Sequence, residues 1–304
     1  MRAETETKRE REYTRAALAA RSVLKTYRKD IWTPFISAVK EYKLIGEGDR
    51  IAVCMSGGKD SALLAVLMRQ LSAHSDVPFE CEYIVMDPGY SPENRRRIEE
   101  NAKLLELPVH IFETDIFTVT ANQGGSPCYL CARMRRGHLY SFAKSLGCNK
   151  IALGHHMSDV IETTLMGMLW GSQIQGMLPR LRSTNYEGME LIRPLYKIRE
   201  EAIIRWANYN GLEFLGCACK MTEAAAVDES ASKRRETKEL IRRLKEAGNR
   251  DIEKNIFGAI HRANVDTLVG YKLRGGKHSF LEQLEGDDEG DTPGALPLDP
   301  TKGH

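Results

Sequence analysis

The sequence predicts an α/β fold: a doubly wound parallel sheet over about residues 45–215, preceded by N-terminal helices and followed by a C-terminal helical segment. Three observations carry this. Short β-rich runs alternate with helical stretches of about 10–16 residues, a rhythm that implies parallel pairing through right-handed crossovers. A glycine turn, Gly57-Gly58, sits between the first such run and its helix, where open α/β sheets bind ligands. The chain has 304 residues, 42% of them hydrophobic, enough to bury a core without disulfide or metal staples.

The elements follow in order. Residues 6–43 are helical, divided at Thr33-Pro34, which reads as an N-cap followed by proline in the first turn. Arg50–Met55 is the first strand, with a helix behind it through Leu71. Cys81–Met86 is the second strand, Ser91-Pro92 opens a helix to about Leu107, and Val109–Phe112 is the third strand. Lys150–Leu153 and Glu190–Ile192 are the fourth and fifth, with helices over about 129–146, 157–170 and 197–210. Beyond Cys219 the pattern is helical to about 265, and regular structure is expected to stop near Gly275. The implied organisation is a helical extension (1–45), the α/β domain (46–216), a helical segment packed on it (217–275) and an acidic disordered tail (276–304).

Composition excludes several function classes. Seven cysteines are too few and too odd in number for a secreted disulfide scaffold, so a reducing, cytoplasmic setting is expected. The longest apolar run, Ala62–Met68, is far short of a membrane span, and the charged N-terminus is no signal peptide. Net charge is +2, but residues 282–304 carry −6 and leave +8 on the rest. Arginine and lysine clusters at 95–97, 133–136, 180–182, 233–235 and 242–243 suit a polyanionic partner, although each alone reads equally as a solvated face.

The first motif is Ser56-Gly57-Gly58-Lys59-Asp60-Ser61. Paired glycines let backbone N–H groups wrap an anion, and the helix N-terminus adds partial positive charge. Lys59 neutralises phosphate, and the Ser56 and Ser61 hydroxyls donate to it. Asp60 is out of place at an anion site unless it holds a cation such as Mg²⁺ bridging phosphates. The second motif, Gly154-His155-His156-Met157-Ser158-Asp159-Val160-Ile161-Glu162-Thr163, follows the fourth strand. Asp159 and Glu162 share one helix face, either as a Mg²⁺ anchor or as acids favouring the helix dipole. Met86 ends the second strand beside the first, where the sheet's ligand is expected, while Asp87 reads equally as a turn former before Pro88-Gly89.

Cys128 and Cys131 form a C-x-x-C, and Cys217 and Cys219 follow 86 residues later. Structural zinc, a redox disulfide, inert thiols and an iron–sulfur cluster all remain open from the residues alone. Cys54, Cys81 and Cys148 are read as inert.

The hexapeptide resembles the pyrophosphate loop (PP-loop) of the N-type ATP pyrophosphatases, which cleave ATP between its α and β phosphates. Taken with Cys128-Tyr-Leu-Cys-Ala-Arg-Met-Arg-Arg-Gly137, the Gly154–Thr163 motif, Gly176-Met-Leu-Pro-Arg-Leu181 and Ile192-Arg-Pro-Leu195, it resembles the tRNA 2-thiocytidine synthetases over about residues 40–270. The resemblance implies a Rossmann-like PP-loop fold, ATP, Mg²⁺ and a [4Fe–4S] cluster held by Cys128, Cys131 and Cys217. It implies catalytic roles for Lys59, Asp60 and Asp159. Nucleotide binding would fall to Ser56, Gly57, Gly58, Lys59, Asp60, Ser61, Met86, Gly154, His155, Asp159 and Glu162. The implied partners are tRNA, with the cytidine at position 32 as target, and a separate sulfur donor such as a cysteine desulfurase; a homodimer is an allowed assembly. Two departures stand out: Ser158 replaces an acid usual in the family, and Cys217-Ala-Cys219 replaces a C-x-x-C. The competing readings are a PP-loop paralogue acting on another base or a small molecule, and a non-catalytic iron–sulfur RNA-binding protein.

Overall fold

A computed structural model describes residues 13–116, 127–214, 229–273 and 275–282. Its centre is a six-stranded sheet in the order β3-β2-β1-β4-β6-β5. β1 (Arg50–Met55), β2 (Glu80–Asp87), β3 (Val109–Glu113), β4 (Lys150–Ala152) and β6 (Glu190–Ile192) are parallel, as the alternating pattern requires. The chain winds outward from β1 to β3, then returns to β4 on the other side of β1. Strand order therefore reverses between β1 and β4, and the crevice at their carboxyl ends is the expected ligand site.

Alternation along β1 builds two cores. Ile51, Val53 and Met55 face one side with α3 (Lys59–His74), α1 (Arg15–Leu24), α2 (Thr33–Glu41) and α7 (Glu200–Tyr209). Ala52 and Cys54 face the other side, against Tyr140 and Ala143 of α5 (Pro127–Ser145). The Ala62–Met68 run lies in α3, where every residue from Ala62 to Met68 is buried. A helix that is apolar nearly all round belongs between layers, and α3 is enclosed by the sheet and by α1, α2 and α7. The N-terminal helices are thus part of the core: Val23, Ile31 and Phe35 are fully buried, and the Trp206 indole N–H of α7 donates to the Ala19 carbonyl at 3.5 Å.

Four local features depart from the sequence pattern or decide between its readings. Thr33 is not an N-cap: a π-helical turn, Arg28–Trp32, runs straight into α2 with no side-chain cap, and Pro34 sits harmlessly in its first turn. β5 (Arg180–Arg182) is an additional strand, antiparallel to β6 at the sheet edge. Three residues of Arg-Leu-Arg carry no readable periodicity, and both arginines pair with Glu190 from the neighbouring strand. Asp87 is a turn former, its Oδ1 accepting from the Gly89 and Tyr90 N–H groups at 2.9 and 2.7 Å. Finally, β7 (Gly270–Leu273) and β8 (Gly276–Ser279) form an antiparallel hairpin in a second compact unit, Gly258–His304. Gly275 has φ +87° at its turn, and Tyr271 stacks on His278 across the strands at 5.0 Å. Regular structure therefore continues past Gly275, into the first four residues read as tail.

Between these lie α4 (Pro92–Leu104) and α6 (Met157–Gly171). α8 (Glu229–Glu246) and α9 (Ile252–Ala259) follow α7, and Ile241 of α8 packs on Met157 and Ile161 of α6. No helix among the described residues is long and apolar enough to cross a membrane.

Candidate active site at the sheet switch point

Both sequence motifs lie at the switch point, one at the end of β1 and the other at the end of β4. Gly57 turns the chain with φ +82°, a conformation that strains any residue with a Cβ, and Gly58 caps α3. Ser61 ties the loop. Its buried Oγ accepts from the Ser56 N–H at 3.1 Å and donates to the Gly58 carbonyl at 2.9 Å. The second motif closes against this turn through Gly154, where a Cβ would come within 3.2 Å of the Asp60 carbonyl carbon and the Ser61 nitrogen. A side chain here would push the two loops apart by a few tenths of an ångström.

α6 begins with a reciprocal cap. His156 Nδ1 accepts from the Asp159 N–H at 3.3 Å, and Asp159 Oδ2 accepts from the His156 N–H at 2.9 Å. Because Nδ1 accepts, the ring proton sits on Nε2, which points to Asp60 Oδ1 at 3.6 Å. Neighbouring His155 is half-buried, its enclosed Nδ1 has no hydrogen-bond partner, and desolvation together with Arg193 lowers its pKa to about 4. It is a neutral imidazole at physiological pH.

The carboxylates form a chain of alternating charge. Lys59 Nζ donates to Asp60 at 3.2 Å and to Glu200 at 3.0 Å. Lys238 Nζ donates to Glu200 at 3.0 Å and lies 3.5 Å from Glu162. Arg234 Nη1 bridges Asp159 and Glu162 at 3.2 Å each. Glu162 is almost wholly buried, and burial outweighs its two cationic partners, pushing its pKa up to about 7. Burial acts on Glu200 too, but hydrogen bonds from Lys238 and Lys59 overcome it and bring the pKa down to about 2. Asp60 Oδ1 is buried without a well-formed hydrogen bond, 3.2 Å from the Lys59 ammonium and 3.6 Å from His156 Nε2. Among the described residues no group of three acids, histidines or cysteines is arranged around one metal position, because the cations stand between the carboxylates.

The fold thus brings together Ser56, Gly57, Gly58, Lys59, Asp60, Ser61, Gly154, His155, Asp159 and Glu162. Met86 lies one residue beyond the last β1–β2 partner pair, Met55↔Val85, next to the loop. Glu200, Arg234, Lys238 and His156 were not read from the sequence as site residues. Glu200 arrives from 141 positions away, with its N–H held by Ser158 Oγ at 3.2 Å. His156 was legible in principle, because His-x-x-Asp is a capping-box spacing.

Cys128 and Cys131 lie at the second and fifth residues of α5, and Cys217 and Cys219 are outside the described residues. The other three thiols are protonated: burial raises the pKa of Cys54 far above its usual value, that of Cys81 to about 12 and that of Cys148 to about 11. A cavity of about 740 Å³ lies at the amino ends of β1 and β4, away from the site, and belongs to the ion network around Lys150.

A parallel sheet with an Ser-Gly-Gly-Lys-Asp-Ser turn at its switch point defines a PP-loop protein, and the PP-loop domain family model matches residues 33–222. The chain is 36% identical over 241 residues to a tRNA-cytidine(32) 2-sulfurtransferase of Pelobacter propionicus, covering 78% of this chain and 87% of the relative. It is 34% identical over 277 residues to one of Alkalilimnicola ehrlichii, covering 89% and 83%. The chain belongs to the tRNA-cytidine(32) 2-sulfurtransferase family of PP-loop proteins. A solved structure, the U34-tRNA thiolase NcsA from Methanococcus maripaludis with its [4Fe-4S] cluster, shares the fold with TM-score 0.61 at 18% identity, covering 82% of this chain and 83% of that one.

Proposed function

We propose that the protein is an ATP-dependent tRNA thiolase that replaces the C2 oxygen of the cytidine at position 32 with sulfur, acting in the cytoplasm. The observation that carries this is the Ser56–Ser61 turn, tied by Ser61 and facing a ladder of acids and cations at the switch point of a family member's sheet. The base's C2 oxygen attacks the α-phosphorus of ATP, pyrophosphate leaves, and the adenylated base then exchanges AMP for sulfur. Lys59 and the amides of Gly57 and Gly58 stabilise charge on the departing pyrophosphate. To do so Lys59 leaves Asp60 and Glu200 for the phosphates, while Lys238 stays to hold Glu200 in place.

Asp60 and Asp159 are the residues that would hold Mg²⁺ once Lys59, now 3.2 Å from Asp60 Oδ1, moves to the phosphates; the metal would supply Lewis-acid neutralisation of their charge. Glu162 orients Arg234 and Lys238 from below. The three thiols that the core keeps protonated leave Cys128, Cys131, Cys217 and Cys219 as the donor set for an iron–sulfur cluster. Three of these thiolates would hold the cluster, which would supply the iron chemistry for sulfur transfer. Sulfur comes from a separate donor of the cysteine desulfurase type, and a homodimer is the assembly proposed.

Lys59→Ala tests the reading. In a deletion strain carrying this variant, mass spectrometry of tRNA nucleosides is expected to find no 2-thiocytidine, whereas the wild-type chain restores it. Restored 2-thiocytidine with Lys59→Ala, or thiouridine in its place with the wild type, overturns the reading.

A further inference from the structure

Two clefts flank α7, and they treat charge differently. The cleft at its N-terminal end, about 480 Å³, has its cations compensated: Lys197 pairs with Glu41, Arg199 with Glu253 and Arg205 with Asp30. The cleft at its C-terminal end, about 820 Å³, is lined by Arg15, Arg21 and Lys25 of α1 and its exit and by Tyr209 and Asn210, with no acidic residue in its wall. None of these three cations has a carboxylate within 4.0 Å among the described residues. No carboxylate of the described residues neutralises the three, so their convergence on a concave surface points to a polyanionic occupant.

The cleft is held in shape from both sides. Arg15 Nη1 donates to the Asn210 carbonyl at 3.1 Å, pinning α1 to the end of α7. Asn210 Nδ2 donates in turn to Ser22 Oγ at 3.1 Å. The Arg21 guanidinium lies 5.4 Å from the centre of the Tyr13 ring. Tyr209 is 63% exposed, yet its ring is braced edge-on by Tyr27 at 5.7 Å, and Tyr27 is itself fixed by donating to the Arg205 carbonyl. A rigid exposed aromatic face beside free cations is the pairing that single-stranded nucleic acid uses: phosphates on the cations, a base on the ring. At about 1.5 Å per residue, Tyr209 lies about 14 Å along α7 from Glu200 of the candidate active site, a span that a few nucleotides cover.

We propose that this cleft docks the sugar–phosphate backbone of an RNA strand, with Arg21 and Lys25 on phosphates and Tyr209 under an unpaired base. The inference rests on the reading of the protein as a tRNA-modifying enzyme and adds the surface that positions the substrate. The test uses the full chain with transcribed tRNA, titrated by fluorescence anisotropy between 50 and 200 mM salt. Arg21→Ala with Lys25→Ala is expected to weaken binding at least about tenfold at low salt and to reduce the slope of log K against log salt by about 2. Tyr209→Leu is expected to weaken binding severalfold with an unchanged slope. Arg21→Lys with Lys25→Arg is expected to bind like the wild type, and so is Arg205→Ala, whose cation is already compensated.

Wild-type affinity in the double alanine variant overturns the proposal, as does an equal loss of slope in Arg205→Ala. Competition by polyglutamate as strong as by RNA overturns it in favour of an acidic protein partner. A wild-type chain that binds no tRNA even at 50 mM salt overturns the thiolase reading itself. Tryptophan fluorescence melts of each variant separate lost contacts from lost folding.

Discussion

Glu162 shows how burial sets the chemistry of a single residue. Its side chain is enclosed beneath α8, and although Arg234 and Lys238 approach it, burial dominates and its pKa rises from 4.5 to about 7. A carboxyl with a raised folded pKa favours the fold when protonated, so that contribution is complete below about pH 4.5 and fades as pH rises through 7. Glu200, at about 2, titrates well below this window and contributes nothing to the change above pH 5. Glu162→Gln is therefore expected to gain stability relative to wild type between pH 5 and pH 8, read from urea midpoints in chelated buffer. A constant difference across that range would show that the two cations neutralise the buried charge after all. Asp159, three residues earlier, was paired with Glu162 on spacing alone, and both do contact one Arg234 nitrogen. What spacing could not show is that the shared partner is an arginine from α8.

At the scale of elements, the sheet is locked at the strand ends away from the site by buried Lys150. This residue opens β4, is 5% exposed, lies 2.6 Å from Asp49 ahead of β1 and 3.5 Å from Glu190 of β6, and donates to the Leu44 carbonyl at 3.0 Å. Asn149 adds a bond to Asp49, whose carboxyl is held below its usual range, the hydrogen bonds from Lys150, Gly46 and Asn149 outweighing burial. Three strands are thereby joined through one ammonium group. Lys150→Met fills the same space but strands Asp49 in the interior, and it is expected to lower unfolding free energy by about 3–5 kcal/mol. Chemical denaturation measures this directly; a loss below about 1 kcal/mol would mean that the network is solvated. In the sequence Lys150 reads only as a polar residue starting a strand. Its role depends on two acids 101 and 40 positions distant.

At the scale of the whole molecule, the Ser56–Ser61 loop and the acid–cation ladder occupy separate stretches of chain that the α/β winding gathers at the carboxyl ends of β1 and β4. The three core thiols are protonated, and the proposed cluster would draw on the cysteines at 128, 131, 217 and 219. If three thiolates hold the cluster and one iron stays open, one of the last two is dispensable. Cys217→Ser is expected to lose iron, visible absorption and thiolation, whereas Cys219→Ser keeps all three, measured as iron per chain in anaerobically purified protein. The reverse pattern moves the ligand by two residues, and zinc in place of iron removes the cluster chemistry.

The sequence by itself determined the winding of the sheet and the position of its loops. Hydrophobic periodicity and glycine placement are local properties, and the alternation of strand and helix around Gly57-Gly58 and Gly154 allows few topologies. It did not determine which charges meet. The ladder from Asp60 through Lys59, Glu200, Lys238, Glu162 and Arg234 to Asp159 draws on α3, α6, α7 and α8. The same limit hid β5 and the Gly270–Ser279 hairpin, three- and four-residue strands stabilised by partners across the ladder rather than by any propensity of their own. Electrostatic contacts and short edge strands are decided in three dimensions, because their energy depends on separation in space and on burial, neither of which a spacing along the chain encodes.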